Sequence, residues 1–362
     1  MEALIMDKDF KSVAIIDDYE SFIWTDRYCG YGDFELYAPV SAAFFNFTKD
    51  GYYIWNNDSE HLMIIEKNDI KSDAEDGSHD TVKGRSLESI LDRRIIWTQT
   101  TLSGSLQGGI KKLLNENIIS PSDEKRKIPN FVFKESTDEA ITKLTVDAQY
   151  TGDNLYDAIK SLCETNELGF KVILNSDLKF EFSLYFGTDR SYNQKKLPYV
   201  IFSPNFEYLV NSNYYESSAE LKNVALIGGE GEGSDRKFKS VYGNGVQEFP
   251  SGMDRRELFV DARDLSTKTS DKTLSVTEYN AQLEQRGYDK LGENTQAIGF
   301  EGDIENTEMF SYGKDFFVGD IVQIQNEYNI KATTRVVEVV ISDSSTGTTI
   351  VPTFSTPTLT KT

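Results

Sequence analysis

The chain has 362 residues, 38 % hydrophobic and 12 % aromatic, with a net charge of −21. This composition excludes a disordered chain, and the length implies two or three domains rather than one core. A pI of about 4.6 excludes a surface that holds DNA by neutralising phosphates, although like charge lets DNA slide past without sticking.

Residues 1–97 read as short strands with close turns, the pattern of a small β-barrel or sandwich. Val13 to Ile16 is an apolar run, and Phe22 to Trp24 and Phe34 to Tyr37 are aromatic strands. Tyr28 to Asp33 links them as a turn. Tyr52 to Trp55 and His61 to Glu66 flank Asn56 to Ser59 as a hairpin. The polar stretch Lys71 to Asp80 is expected to be a loop tip, with Val82 opening a return strand. Gly84 to Trp97 offers a short helix that Ser86 would cap, with Leu87, Ile90 and Leu91 on one face.

Residues 98–200 change character and read as a small α+β domain. Ser105 caps a helix carrying Leu106, Ile110, Leu113 and Leu114 at helical spacing. Pro121 to Pro129 is a charged loop. Phe131 to Phe133 and Ile141 to Val146 read as strands. Asp153 or Asn154 caps a second helix, with Leu155, Ile159, Leu162 and Cys163 inward and Gly169 as its stop. Phe170 to Leu174 and Lys179 to Leu184 form a hairpin over Asn175 to Asp177.

Residues 201–362 return to strands and read as a second β-barrel-like domain. Phe206 to Asn213 precedes Val224 to Ile227, a short buried strand that runs into Gly228, Gly229, Gly231 and Gly233. Glu230 and Glu232 alternate with these glycines, and Asp235 and Arg236 follow. A phosphate cradle is rejected, because two carboxylates inside the loop repel an anion and Lys237 to Tyr242 continues as a strand instead of a helix. The stretch reads as a mobile acidic loop between strands, suited to an interface or pore rim. Arg255 to Val260 is a further strand. A helical insertion occupies about 265–295, with Ser275 and Glu278 as a capping box, Tyr279 and Leu283 as an i, i+4 pair and Gly292 at its end. Ala297 to Phe300, Ile321 to Ile324 and Thr333 to Ile341 are strands. Asp343 to Gly347 turns into Thr348 to Val351, and the tail from Pro352 reads as extended or free.

The search for chemistry finds no catalytic, cofactor-binding or metal-binding residue to nominate. The two histidines, His61 and His79, begin no His-x-x-x-His pair. Gly104 to Gly108 places Ser105 wrongly for a nucleophile elbow. Ser72 to Gly77 resembles a calcium loop only superficially, since Ala74 stands where a ligand is required. Arg93–Arg94 and Arg255–Arg256 adjoin apolar stretches, either as surface arginines or as pairs for a neighbouring subunit. Cys29 and Cys163 are far apart in sequence, and Cys163 reads as a buried thiol. No segment reaches the length of a membrane span, and the N-terminus does not read as a signal peptide.

Four motifs occur in order: Gly84 to Ile96, Gly228 to Arg236, Arg256 to Asp264 and Phe317 to Val322. Together they resemble the tail hub proteins of long-tailed, non-contractile phages, which are similar in fold to the baseplate hub of contractile tails. The resemblance implies a non-enzymatic structural virion protein at the tail tip, made in the host cytoplasm. It implies a homotrimer whose two barrel-like domains per subunit form a pseudo-sixfold ring, with the α+β domain and helical insertion at the periphery. Such a ring links the hexameric distal tail ring to a threefold tip and its fibre or receptor-binding proteins. Its lumen passes the tape measure protein, then DNA in transit, without any cofactor. Many relatives continue into fibre or wall-degrading regions. This chain stops about ten residues after Val351, so those roles are expected of separate proteins. Alternatives are a receptor- or glycan-binding tail protein and a peptidoglycan hydrolase with a carboxylate pair.

Overall fold

The computed structural model describes residues 1–73, 77–203, 209–267, 273–304, 310–326, 331–355 and 358–359. Strand residues, at 41 %, outnumber helical residues, at 21 %, so the chain is mostly β with a few helices. It divides into two compact units, Met1–Ser212 with Glu301–Thr362, and Asn213–Phe300.

The chain opens with β1 (Ala3–Met6), β2 (Ser12–Ile16), β3 (Ser21–Arg27) and β4 (Asp33–Pro39). Helix α1 (Ala42–Phe47), absent from the sequence reading, is capped by the Ser41 side chain and buries Phe44 alone. β5 (Tyr53–Asn56), β6 (Leu62–Asp73) and β7 (Gly77–Ser86) follow. The expected loop at 71–80 is strand on both sides of residues 74–76, because the β6–β7 ladder continues to Asp73 opposite Gly77. The calcium-like loop includes residues 74–76, which lie outside the described residues. Gly84 belongs to β7 and not to a helix, since a Cβ there would stand 1.7 Å from the Ile64 carbonyl oxygen. The expected helix is a 3-10 turn, Leu87–Arg93, and Ser86 makes no side-chain cap to it.

Next come β8 (Thr100–Ser105), α2 (Leu106–Leu114), β9 (Phe131–Lys134), α3 (Glu139–Thr142), β10 (Thr145–Tyr150), α4 (Leu155–Thr165), β11 (Gly169–Leu174) and β12 (Phe180–Tyr185). The strand expected at Ile141 to Val146 is split. Asp138 caps the turn of α3, and the chain extends only from Thr145. Ser105 and Asn154 cap α2 and α4 as expected. Their apolar stripes meet one core with Phe170 and Phe182, each such burial worth about 1.5–3 kcal/mol. α4 ends at Thr165, ahead of Gly169, which opens β11 against the Tyr28 ring.

The remaining elements are β13 (Ile201–Phe202), β14 (Leu209–Ser217), β15 (Val224–Gly228), β16 (Phe238–Tyr242), β17 (Glu257–Asp261), α5 (Val276–Gly292), β18 (Ala297–Ile304), β19 (Ile321–Gln325), β20 (Lys331–Ser344), β21 (Gly347–Phe354) and β22 (Thr358–Leu359). The part of the Phe206 to Asn213 strand before Leu209 lies outside the described residues. Pro352 to Phe354, expected as the start of a free tail, pairs with β20.

In the first unit one sheet runs β13-β19-β20-β3-β4-β7-β6-β5-β1-β2, with β21 and β22 also on β20. The order is open, so the closed barrels that the sequence suggests are not formed. β3 is bonded to β4 on one side and to β20 on the other. The edge needed to close the first β-rich segment is therefore occupied by the second. Trp24, Phe22 and Phe34 are fully buried beside this junction. In the second unit, β16-β15-β17 form a sheet covered on one face by α5.

Candidate functional site

The acidic glycine loop is pinned at both ends. In β15, Ala225 and Ile227 face α5, where Tyr279, Leu283 and Leu291 complete the core, while Leu226 points outward. A Cβ on Gly229 would lie 2.4 Å from the Tyr279 hydroxyl, so glycine is what lets α5 approach. That hydroxyl accepts the Glu230 N–H (2.7 Å) and donates to the Leu265 carbonyl (3.1 Å). The Glu230 carboxylate accepts the Thr267 N–H (2.8 Å) and hydroxyl (2.6 Å). Gly229 donates to the Lys237 carbonyl and Lys237 back to Glu230. These N–H groups are therefore spent within the chain and are not offered to an anion.

Arg236 lies across the outer face of the sheet. Its guanidinium donates to the Gly228 (2.9 Å) and Gly229 (3.2 Å) carbonyls and to Asp261 (2.8 Å). Its Cζ sits 5.6 and 5.4 Å from the Phe238 and Phe259 rings. A Cβ on Gly228 would meet that guanidinium at 2.7 Å. The neighbouring arginine pair also bonds within its own chain, Arg255 to Glu257 (2.6 Å) and Arg256 to Ser218.

A buried polar cluster lies in the first unit. Asp26, 1 % exposed, accepts from the Trp24 indole (2.9 Å), the Ser59 hydroxyl (2.8 Å) and the Tyr312 hydroxyl (2.7 Å). Glu88, fully buried, accepts from the Ser86 hydroxyl and the Val172 N–H (2.7 Å). His61 Nδ1 stands 3.3 Å from Glu88 without hydrogen-bond alignment, as a charge contact. Burial alone would lower the His61 pKa. The Glu88 and Asp26 carboxylates outweigh it and hold the imidazole at about 9. Burial likewise opposes ionised Glu88, but His61, Ser86 and the Val172 amide draw its pKa below the ordinary value. Beside the cluster is a cavity of about 240 Å³ lined by Ser59, His61, Tyr185, Tyr312 and Phe317. Residues 26, 59, 61, 88, 172 and 312 meet here from five stretches of chain. Nothing in their spacing announces it, although His61 in an apolar strand is the available hint.

A second hollow of the same unit, about 660 Å³, is lined by Arg27, Tyr28, Cys29, Glu164, Arg335 and Glu338. Arg27 bonds to Glu338 (2.6 Å) and Asp33, and Arg335 stacks on Tyr28 at 4.9 Å. Cys29 and Cys163, distant in sequence, are neighbouring free thiols. The hydrogen bond that the Cys163 S–H donates to Cys29, and then burial, hold the Cys163 thiol well above its usual pKa. His79, expected beside a loop, lies in β7 and bonds Glu20 at 2.7 Å. Among the described residues, no group of three or more His, Cys, Asp or Glu is placed to hold a metal ion. No described helix is long and apolar enough to cross a membrane.

Solved structures share this fold over nearly the whole chain. The 43 kDa tail protein of prophage MuSo2 from Shewanella oneidensis matches with a TM-score of 0.59 at 11 % identity, covering 98 % of both chains. A tail protein from Neisseria meningitidis MC58 matches at 0.56 and 13 % identity, covering 98 % of this chain and 96 % of that one. Prophage tail protein gp18 from Listeria monocytogenes EGD-e matches at 0.54 and 11 % identity, covering 98 % and 95 %. The fold is thus that of phage tail proteins. The chain belongs to the Siphovirus ReqiPepy6 Gp37-like protein family, whose profile matches residues 2–354. This is a siphovirus family, and the solved structures that share its fold are phage tail proteins. No curated protein matches the chain.

Proposed function

We propose that three copies of this chain close into a hub at the tail tip, joining the hexameric distal tail ring to the threefold tip. The observation that carries this reading is the likeness in fold to phage tail proteins over 98 % of the chain. Residues 1–97 and 201–362 act as two β-built wedges per copy, and three copies supply six. The 98–200 segment and the 265–295 insertion lie towards the outer rim. The open sheet of the first unit suits this role, because a wedge that is not closed on itself keeps surface for its neighbour. The lumen passes the tape measure protein and then DNA. Three copies carry a charge of −63, which opposes DNA adhesion along the path. Fibre or receptor-binding proteins attach below.

Mass measurement of the purified chain tests the ring. A particle of about 123 kDa, three times the 41.0 kDa chain, with threefold class averages in electron micrographs is expected. A monomer that persists at tens of micromolar and is absent from virions would remove the proposal.

A further inference from the structure

On this acidic chain, one patch of the first unit is cationic and apolar together. The segment Arg94 to Trp97 follows the 3-10 turn in extended form. Its backbone is fixed by Leu155 N–H to Arg94 O (2.9 Å), Ile96 N–H to Asp153 O (2.8 Å) and Gly152 N–H to Ile96 O (2.8 Å). Ile96 is buried, whereas Ile95 is 42 % and Trp97 66 % exposed. Arg126 stacks on the Trp97 indole at 5.2 Å and donates to Ile95 O (2.7 Å) and Asn117 Oδ1 (3.1 Å). Arg94 donates to Arg126 O (2.9 Å) and Arg93 O (2.9 Å).

Neither Arg94 nor Arg126 has a carboxylate partner among the described residues. Of the nearby acids, Glu66 and Asp92 pair with Arg85 and Glu124 with Lys127, while the Asp123 and Asp153 carboxylates accept the Lys125 and Thr151 N–H groups. Burial first, then the Arg126 and Arg93 cations, lower the Arg94 pKa, which marks guanidiniums crowded without a counter-charge. Elsewhere on the chain Arg27, Arg85, Arg190, Arg236, Arg263 and Arg286 meet carboxylates, whereas Arg256 bonds Ser218, and Arg335 bonds the Gly319 carbonyl and stacks on Tyr28, without an exposed tryptophan beside either. A pre-fixed tryptophan and isoleucine beside uncompensated arginines is the composition of an interface centre.

We propose that the patch of Arg94, Ile95, Trp97 and Arg126 is one half of the contact between neighbouring copies of this chain. The inference rests on the ring proposed above. Charge complementarity selects the occupant: a second copy brings a chain of 59 acidic against 38 basic residues, of whose acids only a few, such as Asp26, Asp80, Glu88 and Asp320, are buried. Closing three copies around an axis also requires unlike surfaces to meet, and a cationic patch against an acidic surface meets that requirement.

The test compares the wild-type chain with the double variant Arg94→Glu/Arg126→Glu and with Trp97→Ala, by light scattering across protein and salt concentration. Circular dichroism checks that each variant is folded. Lysine at both arginine positions serves as the charge-preserving control. Association of the charge-reversed pair at least about tenfold weaker than wild type is expected, as one lost charged contact implies. The lysine control should retain most of the association, and wild-type association should weaken with salt. A trimer as stable in the charge-reversed variant as in wild type overturns this inference and leaves the ring standing. A wild-type chain that stays monomeric overturns both. Retention of duplex DNA by wild type at 150 mM salt, lost in the charge-reversed variant, would assign the patch to nucleic acid and also overturn the proposal.

Discussion

His61 and Glu88 are the residues whose ionisation most directly bears on stability. The folded-state pKa of His61, about 9, lies above its unfolded value of about 6.5. Its contribution is therefore complete below about pH 6.5 and fades as pH rises through about 9. Glu88 has the opposite sign. Its depressed value makes its contribution present above the ordinary carboxylate pKa and lost as acid protonates it in the fold. The urea midpoint of the wild-type chain should decline between pH 7 and pH 9.5, and His61→Phe should flatten that decline. Glu88→Gln should cost about 3–5 kcal/mol near neutrality, because it leaves a buried imidazolium without its partner. Identical pH profiles for wild type and His61→Phe would show that the charge contact carries no weight. Little of this was legible in the sequence. His61 and Glu88 are 27 positions apart, and the tie to Val172 and Tyr312 is made by the fold alone. The glycines of the acidic loop were legible as a turn. Their further purpose, room for Tyr279 under Gly229 and for Arg236 over Gly228, follows from packing on two opposite faces.

Three helix N-caps were legible, because capping is local chemistry, although Ser86 caps nothing and α4 ends before Gly169. Ser105, Asn154 and the Ser275–Glu278 box stand where the polar side chain precedes an apolar stripe. The misreadings share a cause. Ile141 to Val146 is apolar enough for a strand, yet Asp138 accepts the Ala140 N–H and turns its first residues into α3. The polar run at 71–80 lacks strand propensity, yet pairing along β6 and β7 supplies the backbone bonds that propensity does not. Asn154 is the cap with the most attachments. It accepts from Tyr156 N–H (2.8 Å) and Asp157 N–H (3.3 Å) and donates to Asp92 (2.9 Å). Asn154→Ala should therefore lower stability by about 1–2 kcal/mol, and Asn154→Ser by less, since the cap acceptor is retained. Hydrogen exchange should place the loss in the first turn of α4. Equal protection in wild type and Asn154→Ala would contradict the assignment.

For the whole molecule, composition and strand density gave the β-rich class, while topology escaped. A periodic pattern shows that a strand exists but not which strand it joins, and β3 joins one more than 300 positions later. The second unit has its own core of Ala225, Ile227, Val241, Val260, Tyr279 and Leu283. The strands that lead into and out of it, β14 and β18, pair with one another. Replacing residues 218–296 with a short Gly-Ser turn should therefore leave the first unit folded, with an unfolding midpoint close to that of the intact chain. Collapse of that transition on excision would show the first unit to depend on the second.

The pairing of β3 with β20 also sets a clock on biogenesis. Arg27 and Glu338, bonded across that seam, are 311 positions apart. At translation rates of about 5–20 residues per second, roughly 15–60 s pass between synthesis of one strand and of its mate. Throughout that interval β3 has one flank without its ladder. A sheet built this way stays incomplete until β20 has been made, so for that time the bare flank of β3 is open to pairing with a wrong strand.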